Sequence, residues 1–265
     1  MCKDSDAIPK VNDAGSIRLD SEGRRIQIMH NGLKVVADGY YGSLYADIIT
    51  GLRGHHEPQE ELVFYSILKT IAPGASMVEL GAYWSYYSLW FQHVIPDACN
   101  IMVEPVLENM KIGKANFALN SKSGTFLNAL VGSLVDDTIS PVTLTVDKIM
   151  ADYDIDELSV LHSDIQGHEI DMLMGARTAL KCKAIDFIVI STHGEAIHQK
   201  VLRHLHQHAY YLIAEHTPAE SYSWDGLVAV TRRNNFPSIH ISKRMTPSIK
   251  YFKSIIAKLY YRYKR

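Results

Sequence analysis

Four side chains that could bind a ligand or move a proton each follow an apolar, strand-like run of the sequence. They are Glu79, Glu104, Asp164 and His193. Runs of this kind that alternate with helical patterns indicate a mostly parallel sheet with helices on both faces. Such sheets bind ligands beyond the carboxyl ends of their strands, so we expect these four residues to lie near one another.

The stretch 76–88 predicts the part of this site that holds a nucleotide-like cofactor. An apolar run ends in Glu79, the Gly81-Ala82 pair allows a tight turn, and a helix can begin directly afterwards with its free N–H groups near the ligand. Glu104 ends the next strand, where an acid can accept hydrogen bonds from both ribose hydroxyls. A bare packing corner, with Glu104 as a favourable acid at a helix N-terminus, is the alternative.

The turn itself argues against a dinucleotide. The Gly-x-Gly-x-x-Gly pattern is absent, and the bulky Tyr83 and Trp84 follow closely after Gly81. A pyrophosphate could not approach this backbone closely, so a cofactor with a single nucleoside and no diphosphate fits better.

The elements that position these residues are those of a doubly wound α/β domain. The pattern predicts seven strands, and the most apolar run, 184–192, reads as a buried central strand. Upstream, Asn31-Gly32 predicts the turn of a β-hairpin, and Pro58 suits the first turn of a helix. We expect an N-terminal extension with a hairpin and helix, a main domain and a tail, at 1–54, 55–235 and 236–265.

Composition limits the class of protein. With 265 residues and 47% hydrophobic residues the chain can bury a sizeable core, and no apolar run approaches the roughly 20 residues needed to cross a bilayer. Its three cysteines are odd in number and lack metal-ligand spacing, which favours free buried thiols in a reducing compartment. The first residues lack the apolar segment of a signal peptide. We therefore expect a cytoplasmic protein.

The C-terminal tail is basic, whereas the rest of the chain is acidic. Eight lysines and arginines follow from Lys243, and no acid occurs after Asp225. From Ile249 the apolar residues recur on one helical face, which predicts a basic amphipathic helix. Such a helix can lie peripherally on an anionic membrane. Packing against the acidic body or against a second subunit of a homo-oligomer is the alternative.

Several motifs lie along residues 55–232. They are Glu57-Pro58, Pro73-Gly74, Glu79-x-Gly81-Ala82 with Tyr87-Ser88, Glu104-Pro105 with Asn109, Leu144-Thr145-Val146-Asp147, Asp164-Ile165-Gln166-Gly167-His168-Glu169 and Met172-Leu173-x-Gly175-Ala176. Together they resemble the FkbM-type methyltransferases, and the block from Asp164 to Glu169 is the most specific of them. The sequence departs from the family at Tyr83 and Ser85, where Asn and Gly are common.

The resemblance implies a class I, Rossmann-like fold and transfer of methyl from S-adenosylmethionine to a hydroxyl, mostly of sugars or other natural products. It places Glu79 and Gly81 at the methionine and ribose end, Glu104 on the ribose hydroxyls, and Asp164 where cofactor and acceptor meet. The expected cofactor-binding residues are Glu79, Gly81, Ala82, Tyr83, Ser88, Glu104, Asn128, Ala129 and Asp164.

A sugar hydroxyl is a poor nucleophile at neutral pH, so a base or a metal ion should assist the transfer. In one hypothesis His193 is the base and Asp164 orients it, and His162 joins them because it lies on the same side of its strand as Asp164. In the other, Asp164 and His193, with His162, His168 or His198, bind Mg²⁺ or Mn²⁺. Half-buried histidines that only pack and form hydrogen bonds are the third interpretation.

The acceptor side is predicted from a loop and from one family motif. Tyr222 and Trp224 offer flat faces for a sugar ring, and Glu57 stands in the Glu57-Pro58 motif; a plain structural loop is the alternative for the aromatic pair. We expect a small-molecule or glycan acceptor and no nucleic acid. A nicotinamide-dependent oxidoreductase and a non-catalytic glycan-binding protein with the same fold are the competing functions.

Overall fold

A seven-stranded sheet forms the centre of the structure, a computed structural model that describes residues 2–244. From one edge to the other its strands run in the order β11, β12, β10, β9, β4, β5, β6. Their bounds are β4 Ser76–Leu80, β5 Cys99–Val103, β6 Thr125–Leu127, β9 Leu158–Ser163, β10 Ile185–Thr192, β11 Tyr211–His216 and β12 Gly226–Thr231.

Only β12 runs against its neighbours; the other neighbouring strands pair in parallel. The chain begins the sheet at β4, extends it through β5 to β6, and then crosses over to β9 on the other side of β4. This reversal of strand order between β4 and β9 is where a doubly wound sheet opens a crevice for ligands. The predicted mostly parallel, seven-stranded Rossmann-like sheet is confirmed.

The two faces of the sheet pack on separate hydrophobic cores because neighbouring residues of a strand point to opposite faces. On β9, Val160 joins Phe64 and Trp90 in one core, and the next residue, Leu161, lies in the other. The α-helices are α1 Ser43–Gly51, α2 Pro58–Leu68, α3 Tyr86–Val94, α4 Leu107–Leu119, α5 Val146–Asp152, α6 Glu169–Gly175, α7 Arg177–Lys181 and α8 Glu195–Gln207.

The N-terminal extension contains a three-stranded antiparallel sheet as well as α1. Its strands are β1 Ile17–Leu19, β2 Arg25–Ile28 and β3 Lys34–Val36. The predicted hairpin joins β2 to β3, but only Gly32 of its turn has a positive φ, and Met29 donates its N–H to the carbonyl of Leu33. The loop is therefore a three-residue turn rather than the two-residue turn expected from Asn31-Gly32. The side chain of Asn116 on α4 accepts from the N–H of Val36 and ties this sheet to the main domain.

The sequence pattern predicts a third strand over 125–131 and a helix over 169–180, and both are broken in the structure. The predicted third strand leaves the main sheet at Asn128, whose amide donates to the carbonyls of Glu104 and Pro105; the continuation, β7 Ala129–Val131, pairs with β8 Val142–Leu144. The helix predicted over 169–180 is interrupted at Ala176 and forms α6 and α7. The two breaks lie close to each other, because a Cβ atom at Gly175 would lie 2.1 Å from the carbonyl oxygen of Gly132, which follows β7.

Other expectations have mixed outcomes. The three cysteines are free, but only Cys2 is buried, so the prediction of buried thiols is wrong for Cys99 and Cys182. Within residues 2–244, no helix combines the length and apolarity needed to span a bilayer. The amphipathic helix predicted from Ile249 lies outside the described residues.

Ser85 offers a test of local backbone strain. It precedes α3 with φ of 58°, and its buried hydroxyl has no hydrogen-bond partner among the described residues. Left-handed backbone costs non-glycine residues about 1–2 kcal/mol, which exceeds the entropic cost of glycine. We expect Ser85→Gly to raise the free energy of unfolding by about 0.5–1 kcal/mol in urea titrations.

Ser88 provides the matched control, because its hydroxyl is also buried without a partner but the residue lies within helix α3. Ser88→Gly should lower stability by roughly 0.5 kcal/mol, since glycine weakens a helix interior. Loss of stability in both variants would contradict the assignment of strain to position 85.

Candidate active site

The turn after β4 is in contact with the end of β9. Gly81 has φ of 71°, and a Cβ atom at this position would lie 1.8 Å from the carbonyl oxygen of Asp164. The N–H of Asp164 donates to the carbonyl of Leu80 at 2.9 Å, which fixes the two strand ends side by side. Only glycine fits here, both for its backbone angle and for lack of space.

A cavity of about 690 Å³ opens at this edge of the sheet, a size typical of small-molecule sites. Of the predicted cofactor-binding residues, all except Ser88 and Asn128 line it, and Glu57, His162 and His168 line it as well. The cavity wall thus brings together residues from the ends of β4, β5 and β9, as the positions of the acids in the sequence predicted.

Glu104 and Glu79 are nearly fully buried in this wall. The carboxylate of Glu104 accepts from the N–H groups of Tyr83 and Val106, each at 2.9 Å, and from the amide of Asn109 at 3.2 Å. Its Oε2, which accepts only from Tyr83, keeps lone-pair capacity for a ligand. Glu79 accepts from the N–H of Ser88, and burial raises the pKa of its carboxyl group. Both acids therefore hold the turn in place and face the cavity.

Ser88 and Asn128 do not line the cavity but form hydrogen bonds with residues that do. Ser88 is fully buried within α3 and contributes its N–H to Glu79, while the amide of Asn128 holds the backbone at Glu104 and Pro105. The structure places Ala129, but not Asn128, at the cavity. The side chains of Ser88 and Asn128 are therefore not among those that line the cavity.

The N-terminal extension supplies a part of the wall that the sequence analysis missed. Tyr40 and Tyr41 line the cavity, and the ring of Tyr40 stacks on Trp84 with centroids 4.6 Å apart. The N–H of Tyr41 donates to the hydroxyl of Tyr83. The only sequence signal was the cluster of aromatic residues around position 40, which does not reveal where the segment packs.

Two buried histidines line the cavity with carboxylates around them. His162 Nε2 lies 2.6 Å from Glu60 Oε1, and Glu60 also accepts from Ser191. Burial opposes the charged form of His162, but the hydrogen bond to Glu60 and its charge outweigh this and raise the pKa. His56 contacts Glu57 and Glu61.

His193 is surrounded by three carboxylates. Its Nε2 lies 3.2 Å from Asp164 Oδ1 and 3.3 Å from Asp225 Oδ1, and its Nδ1 bonds to Glu169. Burial opposes its charged form, but the contacts with Asp164, Glu169 and Asp225 outweigh burial and raise the pKa of His193 to about 10. At neutral pH this imidazole holds its proton, so it is a poor general base in this arrangement. The sequence pattern assigns Asp225 only to a turn with Gly226.

The metal-ligand set inferred from the sequence needs correction at three positions. The His168 side chain is 68% exposed and faces Asp171, and His198 is fully buried between Thr192 and Glu215. Neither of them, nor His162, joins Asp164 and His193, whereas Asp225 does. Tyr222 and Trp224 also lie outside the cavity lining, and the Trp224 side chain is largely exposed.

Comparison with solved structures shows the same fold. The methyltransferase domain of METTL16 superposes with a TM-score of 0.52 at 11% identity, covering 79% of this chain and 87% of that one. A precorrin-6y C5,15-methyltransferase from Geobacter metallireducens gives 0.46 at 14% identity, with 64% and 86% covered. TrmK of M. capricolum, solved with S-adenosylhomocysteine, gives 0.43 at 11% identity, with 76% and 84% covered. No curated protein sequence matches the chain.

The strand order, with its single reversed strand, and the cavity at the switch point define a class I methyltransferase fold. Residues 98–212 match the family model described as the methyltransferase FkbM domain. The resemblance inferred from the sequence is thereby confirmed over residues 98–212, and the match supports an S-adenosylmethionine-dependent methyltransferase. The family match gives no support to the nicotinamide-dependent alternative.

The cavity suits this cofactor chemically. Its described lining contains six acids, Glu57, Glu79, Glu104, Asp136, Asp164 and Asp171, and neither lysine nor arginine. S-adenosylmethionine carries a sulfonium and an ammonium group but no phosphate, so an acidic wall favours it, whereas a diphosphate would be repelled. Glu79, Gly81, Glu104 and Ala129 remain the predicted contacts.

His56 gives a test of the electrostatics at this edge. Burial opposes its charged form, but the carboxylates of Glu57 and Glu61 outweigh burial and raise the pKa of His56 to about 10. Between pH 7 and 9 the folded protein keeps a proton that the unfolded chain has lost, so stability should fall with rising pH, by up to about 1.4 kcal/mol per pH unit for this group. His56→Gln should flatten that slope in urea titrations at pH 7, 8 and 9.

His206→Gln makes the same change at an exposed position of α8 and should keep the slope of the unmodified protein. An unchanged slope in His56→Gln would show that the proton is not held at His56.

Proposed function

We propose that the protein transfers methyl from S-adenosylmethionine to a hydroxyl group of an uncharged, sugar-like acceptor. The acidic cavity wall, whose described residues include no lysine or arginine, carries this proposal, because it disfavours phosphate- and carboxylate-bearing acceptors, nucleic acid included. Tyr40, Tyr41 and Tyr83 add flat aromatic surface suited to the C–H faces of a sugar ring. Glycan binding without catalysis is the alternative, and observed methyl transfer would exclude it.

The chain's own residues divide the work between two ends of the cavity. Bound S-adenosylmethionine supplies an electrophilic methyl group. Glu79 and Glu104 hold the donor end, while Asp164 lies where the cavity meets His193 and Asp225 and so faces the acceptor. The main task of these residues is to align the acceptor oxygen with the methyl group, at a separation of about 3 Å.

The proton of the acceptor hydroxyl still has to leave. The base hypothesis relies on His193, which the three surrounding carboxylates keep protonated. A positively charged imidazole can orient an acceptor oxygen but cannot take its proton. The metal hypothesis rests instead on the geometry of Asp164, His193 and Asp225.

The acceptor class is tested with methyl-labelled donor and matched acceptors. We expect label to appear as an O-methyl ether on a neutral glycoside, and at least tenfold less on the same sugar as its uronate or phosphate. Efficient labelling of RNA, of a protein or of the anionic sugars would overturn the proposal. The neutral and anionic glycosides have the same chain length, so their labelling differs only through the charge of the acceptor.

The donor end is tested at Glu104. Hydrogen bonds to a charged acceptor are worth about 1.5–3 kcal/mol, so Glu104→Gln should weaken S-adenosylhomocysteine binding roughly 10- to 100-fold by calorimetry. Glu108→Gln, on the exposed face of α4, is the matched control and should bind normally. Equal affinities in the two variants, with both folded by circular dichroism, would remove Glu104 from the donor site.

A further inference from the structure

Three side chains from separate parts of the chain meet beside the cavity. Asp164 follows β9, His193 follows β10, and Asp225 directly precedes β12, which runs antiparallel beside β10. One ligand atom from each lies within 4.8 Å of the other two. We propose that Asp164, His193 and Asp225 bind one divalent cation, Mg²⁺ or Mn²⁺, which also binds the acceptor hydroxyl; this rests on the proposed function.

The distances fit a cation. His193 Nε2 lies 3.2 Å and 3.3 Å from the nearest oxygens of Asp164 and Asp225. Adjacent ligands around an octahedral ion with bonds of about 2.1 Å are separated by about 3.0 Å. Nε2 is also buried and makes no well-directed hydrogen bond with a described residue, although two acceptors are this close. An ion held by the two carboxylates would use the lone pair of this nitrogen.

Glu169 is the positioning residue for His193. Its side chain is fully buried, and one carboxylate oxygen bonds to Nδ1 of His193 while accepting from the N–H of Gly167 at 3.1 Å. An acid on Nδ1 keeps the proton on that nitrogen and leaves the lone pair of Nε2 for a metal. Metal-bound histidines commonly donate their other ring N–H to a carboxylate in this way.

The charges around this cluster call for a cation. Asp164, Glu169 and Asp225 place three carboxylates around a single imidazole, and no lysine or arginine within residues 2–244 forms an ion pair with any of them. Even a protonated His193 leaves two negative charges, whereas a divalent ion with a neutral imidazole leaves one. One nitrogen and two carboxylates form a mixed donor set that Mn²⁺ and Mg²⁺ accept.

The position of the cluster explains what the ion would do. The Asp164 and Asp225 side chains are 29% and 26% exposed, so coordination positions stay open, and Asp164 lines the large cavity. Binding to the ion lowers the pKa of the acceptor hydroxyl. The acceptor O–C bond then forms as the S–C bond of the donor breaks, the sulfonium becomes a thioether, and the hydroxyl proton passes to solvent.

Binding of Mn²⁺ to the full-length protein, measured by electron paramagnetic resonance, tests the ligand set. We expect one ion per chain, binding at least tenfold weaker in Asp225→Asn, and 10- to 100-fold weaker in Glu169→Gln. Asp156→Asn, at an exposed loop position, is the matched control and should bind normally. His168→Gln should also bind normally, because its largely exposed side chain is not one of the clustered ligands.

Binding of S-adenosylhomocysteine by each variant separates the outcomes. Absence of stoichiometric Mn²⁺ binding, or equal affinities in Asp225→Asn and Asp156→Asn, overturns the metal site even where methyl transfer to a hydroxyl is observed after chelation. Tight Mn²⁺ binding that is lost in Asp225→Asn, with normal S-adenosylhomocysteine affinity, supports the metal site. Transfer of methyl to an atom other than oxygen would overturn only the proposed function.

Discussion

The close contact between Gly81 and Asp164 is the constraint on which the site depends. A side chain at position 81 would overlap the backbone of Asp164, so the turn after β4 can approach β9 only without one. The N–H groups of Gly81 and Ala82 both donate to the carbonyl of Val103 and bind the same turn to β5. Three strand ends are thereby fixed within a few ångströms of one another. The separation of Glu79, Glu104 and Asp164 follows from this backbone geometry.

Charge compensation is the second constraint at this edge. Three histidines, His56, His162 and His193, are each surrounded by carboxylates, and their neighbours raise the pKa of all three. Buried ion pairs stabilise a fold poorly, because desolvation offsets most of their attraction. Their concentration beside a single cavity therefore favours a role in binding and chemistry over a role in stability. On the proposed function, the acidic residues of the described lining favour a cationic donor and an uncharged acceptor.

The sequence predicted the sheet and the donor end well because both have local signals. Apolar runs ending in acids mark the strand ends, and the doubly wound pattern brings Glu79, Glu104 and Asp164 to one edge. It failed for His168 and His198, which are close to the site along the chain. His168 precedes α6 with an exposed side chain, and His198 lies one turn into α8 and faces β11. Proximity in sequence does not fix side-chain direction.

Asp225 and Tyr40 were missed for a different reason, because their place depends on contacts between distant segments. Asp225 reaches His193 only because β12 inserts antiparallel between β10 and β11, and no local pattern encodes that order. Tyr40 reaches the cavity because the extension packs on α4 through Asn116 and Asn120. On the proposed function, the donor end is therefore built by the main sheet, and much of the acceptor wall comes from residues 40–57. The two halves meet at Asp164, so acceptor choice can change in residues 40–60 while the donor site stays as it is.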